Sequence, residues 1–81
     1  MSEKEKYKIN VSLNNNKLHI AVSELKEPWF IRGYYLYKDG NLLKKVVKDY
    51  LDANYDFTLE QDGIYFIKVY IKKGEEMQST N

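Results

Sequence analysis

A serine opposite a histidine is the one Ser–His pair that the predicted strands can bring together for nucleophilic catalysis. His19 is the single histidine and cysteine is absent, which excludes cysteine nucleophiles and multi-histidine metal sites. If the first two predicted strands form a hairpin, Ser12 and His19 lie opposite each other on its outer face. The next outward pair is Asn10 with Ala21, so we expect no carboxylate there to orient the imidazole. The sequence therefore predicts an exposed histidine beside a serine, and no enzyme.

The densest run of acidic side chains could in principle form a calcium site. An EF-hand calcium loop needs oxygen ligands at positions 1, 3 and 5, a glycine at 6 and a glutamate at 12. Counting from Asp49 places Glu60 at the twelfth position. However, Leu51 and Ala53 occupy the third and fifth positions, and Asn54 stands where the glycine is needed. We expect solvated carboxylates, with no metal and no cofactor.

Aromatic residues are the distinctive feature of the sequence, because they make up 15% of so short a chain and eight of them are tyrosines. Tyr34 and Tyr35 fall on opposite faces of one predicted strand, so both faces cannot be equally buried. Some rings are therefore expected at the surface, where they could dock a protein or stack on sugars. The aromatics proposed to stack on a ligand are Trp29, Phe30, Tyr34 and Tyr37.

Alternation of apolar and polar residues predicts strands along most of the chain. Residues 7–13 and 18–23 alternate on either side of an asparagine turn and predict a hairpin. A strand begins after Pro28, since proline cannot donate to a strand ladder. Asp39-Gly40 predicts a type I′ turn, in which both central residues need positive φ. The later predicted strands are 42–47, 55–59 and 64–72, the last with Tyr65, Ile67, Val69 and Ile71 facing the core.

Residues 43–55 are the one ambiguous segment. Leu43, Val47 and Leu51 also fit helical spacing, but we favour a strand followed by a crossover between two sheets. Short strands with turn signals about every ten residues are typical of a sandwich. The predicted fold class is all-β: an immunoglobulin- or fibronectin III-like antiparallel β-sandwich of six or seven strands.

Length and charge limit the domain count and the class of partner. The 81 residues suffice for one domain. With 13 basic and 12 acidic residues, and Arg32 as the only arginine, nucleic acid is not an expected partner. No stretch approaches the roughly 18 apolar residues of a membrane span, so no membrane insertion is expected. We expect a flexible segment at 1–6, a sandwich at 7–73, and a flexible segment or linker at 74–81.

Two parts of the sequence suggest a family. The hairpin Tyr-x-Leu-Tyr-Lys-Asp-Gly at 34–40 and the later segment Gly-x-Tyr-x-x-x-Val at 63–69 resemble the three-tyrosine (triple tyrosine motif) domain. The resemblance spans about residues 9–73. Such domains occur at the ends of β-propeller sensor regions and as tandem repeats in clostridial surface proteins. By this likeness the motif tyrosines are Tyr35, Tyr50 and Tyr65, with Tyr37 and Tyr55 competing for the first two places.

The resemblance implies an immunoglobulin-like fold, contacts within or between proteins, and no catalytic residues. We therefore expect a non-catalytic interaction or spacer module of a larger bacterial surface or sensor protein, located outside the cell or at its surface. Its partners would be other domains of that protein or a separate protein. The alternative is a carbohydrate-binding module that holds a polysaccharide against exposed aromatics.

Overall fold

Seven antiparallel strands form two sheets in the computed structural model, which describes residues 7–79. One sheet has three strands in the order β1-β2-β5, and the other has four in the order β4-β3-β6-β7. The predicted all-β antiparallel sandwich is confirmed. The strands are β1 (Lys8–Asn14), β2 (Lys17–Ser23), β3 (Phe30–Lys38), β4 (Asn41–Val47), β5 (Asn54–Thr58), β6 (Tyr65–Lys73) and β7 (Glu76–Ser79).

The turn residues close the hairpins where the sequence predicts them. Asn15 has a φ of 58° and lies between the paired residues Asn14 and Lys17. Asp39 and Gly40 have φ values of 51° and 85°, so both central positions have the positive φ that a type I′ turn requires. The strand interpretation of residues 43–55 is also right, since β4 ends at Val47 and the chain then crosses to the other sheet.

The domain continues past the predicted boundary at Lys73, which is too early. Gly74 has a φ of 58°, a left-handed conformation that glycine adopts at no steric cost. This turn leads into β7, whose residues Glu76–Ser79 pair with the end of β6. The polar sequence of residues 74–81 predicts a linker, but a strand at the edge of a sheet is commonly polar as well. The segment predicted to be flexible at 1–6, and residues 80–81, lie outside the described residues.

The core lies between the inner faces of the two sheets. Ile20 of β2 is fully buried, and so are Tyr34 and Leu36 of β3. Val69 and Ile71 of β6 are fully buried as well, so the predicted inward face of that strand is confirmed. Burial of each large apolar side chain stabilises the fold by about 1.5–3 kcal/mol. The strands therefore have one inner register, and that register fixes which side chains point outward.

Candidate interaction surface

The outer face of the four-stranded sheet carries most of the aromatic side chains that are not in the core. Because Tyr34 and Leu36 of β3 point inward, the alternation of a strand directs Tyr35 and Tyr37 outward. The register of the neighbouring strands then adds their outward residues to the same surface. We call this surface the aromatic face and define it by Tyr35, Tyr37, Leu42, Lys45, Val47, Phe66, Lys68, Tyr70, Lys72 and Met77.

Two rows of directly opposed residues cross the aromatic face. Tyr35 is flanked by Lys45 of β4 on one side and by Lys68 of β6 on the other. Tyr37 is flanked in the same way by Leu42 and Phe66. Directly opposed side chains in antiparallel strands have Cβ atoms only about 4.5–5.5 Å apart. The face therefore presents a basic row next to an apolar row.

The rings of the aromatic face pack against each other across β3 and β6. The centroids of Tyr37 and Phe66 are 4.6 Å apart and their planes differ by 2°. The Nζ atom of Lys68 lies 5.7 Å from the Tyr37 centroid. Tyr35 and Tyr70 are 4.7 Å apart with a tilt of 54°. The faces of these rings are thus partly covered by neighbours, while ring edges and polar tips remain available to solvent.

A glycine allows one of these rings its position. A Cβ atom built on Gly33 would lie 2.9 Å from Cε1 of the Tyr35 ring, a distance that real Cβ atoms essentially never show. Only glycine leaves room for the Tyr35 ring beside the strand. The glycine at position 33 therefore allows the Tyr35 ring to lie where it does.

The aromatic face is exposed and basic. Four of its apolar side chains are between 43% and 50% exposed, namely Leu42, Val47, Phe66 and Met77. The outward positions of its strands include three lysines and no Asp or Glu, because the one acidic residue in these strands, Glu76, pairs with Lys73 on the inward register. Apolar exposure of this kind, rimmed by charge, marks sites of interaction.

The outer face of the three-stranded sheet holds the serine and the histidine. Ser12 lies opposite His19, as predicted. The prediction that no carboxylate orients the imidazole is wrong, because Asp56 of β5 lies on the other side of His19 and its Oδ1 is 2.5 Å from Nδ1. The pairing of β2 with β5 was not considered, although outward alternation between Tyr55 and Phe57 was a signal for Asp56.

The row Ser12, His19, Asp56 has the residue types of a catalytic triad but not its geometry. Within residues 7–79, the Ser12 hydroxyl makes no hydrogen bond to the imidazole, whereas a triad has such a bond between nucleophile and base. The side chains of His19 and Asp56 are 44% and 49% exposed. These observations describe a surface hydrogen bond in solvent.

Two of the four aromatics proposed to stack on a ligand lie in the core. Trp29 and Tyr34 are buried and present no ring face to solvent. The Tyr34 hydroxyl donates a hydrogen bond of 2.5 Å to the Asp52 carbonyl. Burial, and secondarily the nearby Asp52 carboxylate, raises the pKa of Tyr34 to about 12. The apolar environment of the core thus keeps this phenol neutral.

The other two proposed stacking aromatics lie towards opposite ends of β3. Phe30 lies opposite Lys72 of the aromatic face and packs on Tyr50 with centroids 4.2 Å apart, whereas Tyr37 stacks on Phe66 within that face. The structure therefore does not bring the four proposed rings into one site. The exposed rings that sequence reasoning did not select are Tyr35, Phe66 and Tyr70, whose common face becomes visible only when β3 and β6 are paired.

The three motif tyrosines also occupy separate places. Tyr35 belongs to the aromatic face. Tyr50 is 74% exposed, with a φ of 59°. Tyr65 is half-buried at one end of β6, and its hydroxyl donates to the Gln61 carbonyl at 2.6 Å. Of the two competitors, Tyr37 stacks on Phe66 as described, and Tyr55 stacks on the buried ring of Tyr34.

Comparison with protein-family models, with curated proteins and with solved structures gives no match. The resemblance to the three-tyrosine domain therefore stays a prediction, and the surface itself must indicate the function. Among the described residues, no group of three or more His, Cys, Asp or Glu side chains could hold a metal ion. In the same part of the chain, no helix has the length and apolar character needed to cross a membrane.

Proposed function

We propose that the chain is a non-catalytic interaction module that docks a protein partner through the aromatic face. The observation that carries the proposal is the concentration of exposed rings and lysines on one regular sheet surface. Tyrosine and phenylalanine are enriched at the centres of protein interfaces, because they bury a large area and lose little conformational entropy. A surface built on paired strands is also rigid, so its side chains need little reordering on binding.

The packing of the rings favours a protein over a sugar as the partner. A sugar stacks on the open face of an aromatic ring. Phe66 lies parallel to Tyr37 at 4.6 Å, and Lys68 approaches the Tyr37 ring as well. The stack leaves ring edges, phenol hydroxyls and aliphatic side chains beside the partly covered ring faces, which suits the mixed contacts of a protein interface.

The wider biological setting is part of the same proposal. The order β1-β2-β5 facing β4-β3-β6-β7, with the Gly-x-Tyr segment leading into β6, supports an immunoglobulin-like relationship to three-tyrosine domains. Such a module would serve a larger bacterial surface or sensor protein outside the cell. A module of this kind needs no catalytic residues.

Selection from a random peptide library displayed on phage tests the proposal. We expect the selected peptides to bind the wild-type domain and to lose binding to the double variant Tyr37→Ser, Phe66→Ser. The matched control is Ser12→Ala, His19→Ala, which changes two side chains on the opposite outer face. Two-dimensional amide NMR spectra of each variant show whether the fold is retained.

The possible outcomes either support or contradict docking through the aromatic face. Loss of binding in the aromatic-face variant with retention in the control supports the proposal. Equal loss in both variants, or peptides whose binding maps to the opposite face, contradicts it. If the double variant does not fold, Phe66→Gln replaces it, because Phe66 is already 43% exposed and its loss leaves the core intact.

A further inference from the structure

Charge on the aromatic face is concentrated around one tyrosine. Lys45 and Lys68 both lie directly opposite Tyr35, on the two strands that flank it. Strands in a sheet are about 4.8 Å apart, so the backbones of the two lysines are separated by about twice that distance, with Tyr35 between them in the register. Lys72 adds a third positive charge farther along β6, next to Met77 of β7.

Among residues 7–79, no ion pair neutralises these lysines. Each ion pair described in the structure joins residues that do not belong to the aromatic face: Lys8 with Glu24, His19 with Asp56, Arg32 with Asp49, and Lys38 with Asp39. The chain as a whole has a formal net charge of only +1. The strands of the aromatic face hold no acidic residue at an outward position, so positive charge is in excess on it.

From these observations we propose that the partner of the aromatic face is an acidic polypeptide segment. One of its carboxylates binds between Lys45 and Lys68, and apolar residues next to that carboxylate contact Leu42, Tyr37 and Phe66. This inference rests on the proposed docking function and specifies the chemistry of the partner.

The arrangement of the two rows is the reason for choosing a polypeptide over other polyanions. The basic row and the apolar row are adjacent, so a ligand that uses both must alternate charge with apolar groups at the spacing of neighbouring side chains. A polypeptide with Glu or Asp beside Leu or Phe has that pattern, whereas a sulfated polysaccharide has charge without apolar side chains. Hydrogen bonds from ammonium groups to a carboxylate are charge-assisted, and so stronger than neutral ones.

Amide NMR titration of the whole chain with oligoglutamate as the probe tests the inference. We expect saturable shifts confined to β3, β4 and β6. The double variant Lys45→Gln, Lys68→Gln is expected to bind the probe about tenfold more weakly. The matched control is Lys17→Gln, Lys26→Gln, which removes the same net charge from exposed positions outside the aromatic face and should change binding by less than about twofold. An oligoglutamate with interspersed leucines should bind more tightly than oligoglutamate alone.

Several outcomes would overturn the inference. Equal weakening in both double variants would mean that only net charge matters. Stronger binding of dextran sulfate than of the leucine-containing probe at the same face would indicate an anionic polysaccharide. Absence of shifts in β3, β4 and β6 would remove the site. Concentration-dependent association, detected by light scattering and abolished in Lys45→Gln, Lys68→Gln, would identify the acidic loops of a second copy as the occupant.

The proposed function and this inference can fail separately. If peptides selected on phage bind the aromatic face but contain no excess of Asp or Glu, the docking function stands and the acidic partner is wrong. If the selected peptides bind elsewhere, both are wrong.

Discussion

The two outer faces of the sandwich are built by the same rule but carry different side chains. Both belong to antiparallel sheets with one face in the core, and in both the outward residues alternate with buried ones. The face of the three-stranded sheet presents small polar side chains such as Asn10, Ser12 and Thr58. The aromatic face presents four rings and three lysines instead. Small polar side chains are enough to keep an outer sheet face solvated, so the rings of the aromatic face require another explanation.

Strand propensity and cross-strand pairing account for part of this difference. Aromatic residues favour strands in general, and pairs such as Tyr37 with Phe66 stabilise the sheet. However, these effects act equally on both sheets, and only one has the rings. The proposed docking function would explain this difference, and stability and binding can be measured separately.

The largest effect is expected for a ring on the inner side of β3. Tyr34→Ala removes a fully buried ring and its hydrogen bond to the Asp52 carbonyl, which should lower the free energy of unfolding by about 3–5 kcal/mol. Tyr35→Ala, one residue later, removes a half-buried ring and should cost about 1 kcal/mol or less. Urea denaturation followed by circular dichroism measures both. Similar losses for the two variants would show that inner and outer rings are not distinguished as the structure implies.

A smaller effect is expected for the stacked pair on the aromatic face. In a double-mutant cycle of Tyr37→Ser and Phe66→Ser, the coupling free energy should be about 0.5–1.5 kcal/mol. Urea denaturation of the two single variants and the double variant gives this number. A coupling near zero would mean that the stack contributes nothing to the sheet, and that its value lies in binding alone. A coupling far above this range would explain the rings by stability and weaken the docking proposal.

The inner faces were more predictable from sequence than the outer ones. The positions of the first six strands, the Asp39-Gly40 turn and the inward register of β6 follow from local alternation and turn chemistry. Which strands are neighbours does not follow from local sequence. The aromatic face depends on β3 pairing with β6, and the bond from His19 to Asp56 depends on β2 pairing with β5. Both pairings join residues far apart in the chain, so the grouping of the exposed rings and the contact of Asp56 with His19 were not predicted.

Alkaline pH should lower the stability of the fold through ionisation of the buried Tyr34 phenol. Burial and the Asp52 carboxylate raise the pKa of Tyr34 from 10.0 to about 12. Since the unfolded chain releases this proton first, the stabilisation is fully present below pH 10 and is lost as the pH rises from 10 towards about 12. At neutral pH, Tyr34→Phe should cost about 1 kcal/mol through loss of its hydrogen bond.

Thermal unfolding between pH 8 and pH 11.5 measures this dependence. The melting temperature of Tyr34→Phe should fall less steeply with alkaline pH than that of the wild type. Ser12→Ala removes a hydroxyl from the opposite outer face and should follow the wild-type profile. If Tyr34→Phe and the wild type have parallel profiles, the Tyr34 phenol is not what weakens the fold at high pH.

The smallest effect on stability is expected on the outer face of the three-stranded sheet, although its residues are of the types found in catalytic sites. Asp56→Asn or His19→Ala breaks a bond between two side chains that are each almost half exposed. Exposed pairs of this kind contribute only about 0.2–1 kcal/mol, because solvent screens them and ordering the side chains costs entropy. Urea denaturation should detect at most that loss, and both variants should retain all peptide binding by the aromatic face. Loss of binding, or loss of a measured ester hydrolysis, in His19→Ala would reverse the roles assigned to the two faces. Residue types alone favour the three-stranded sheet as the functional surface, whereas exposure, packing and unneutralised charge favour the four-stranded sheet.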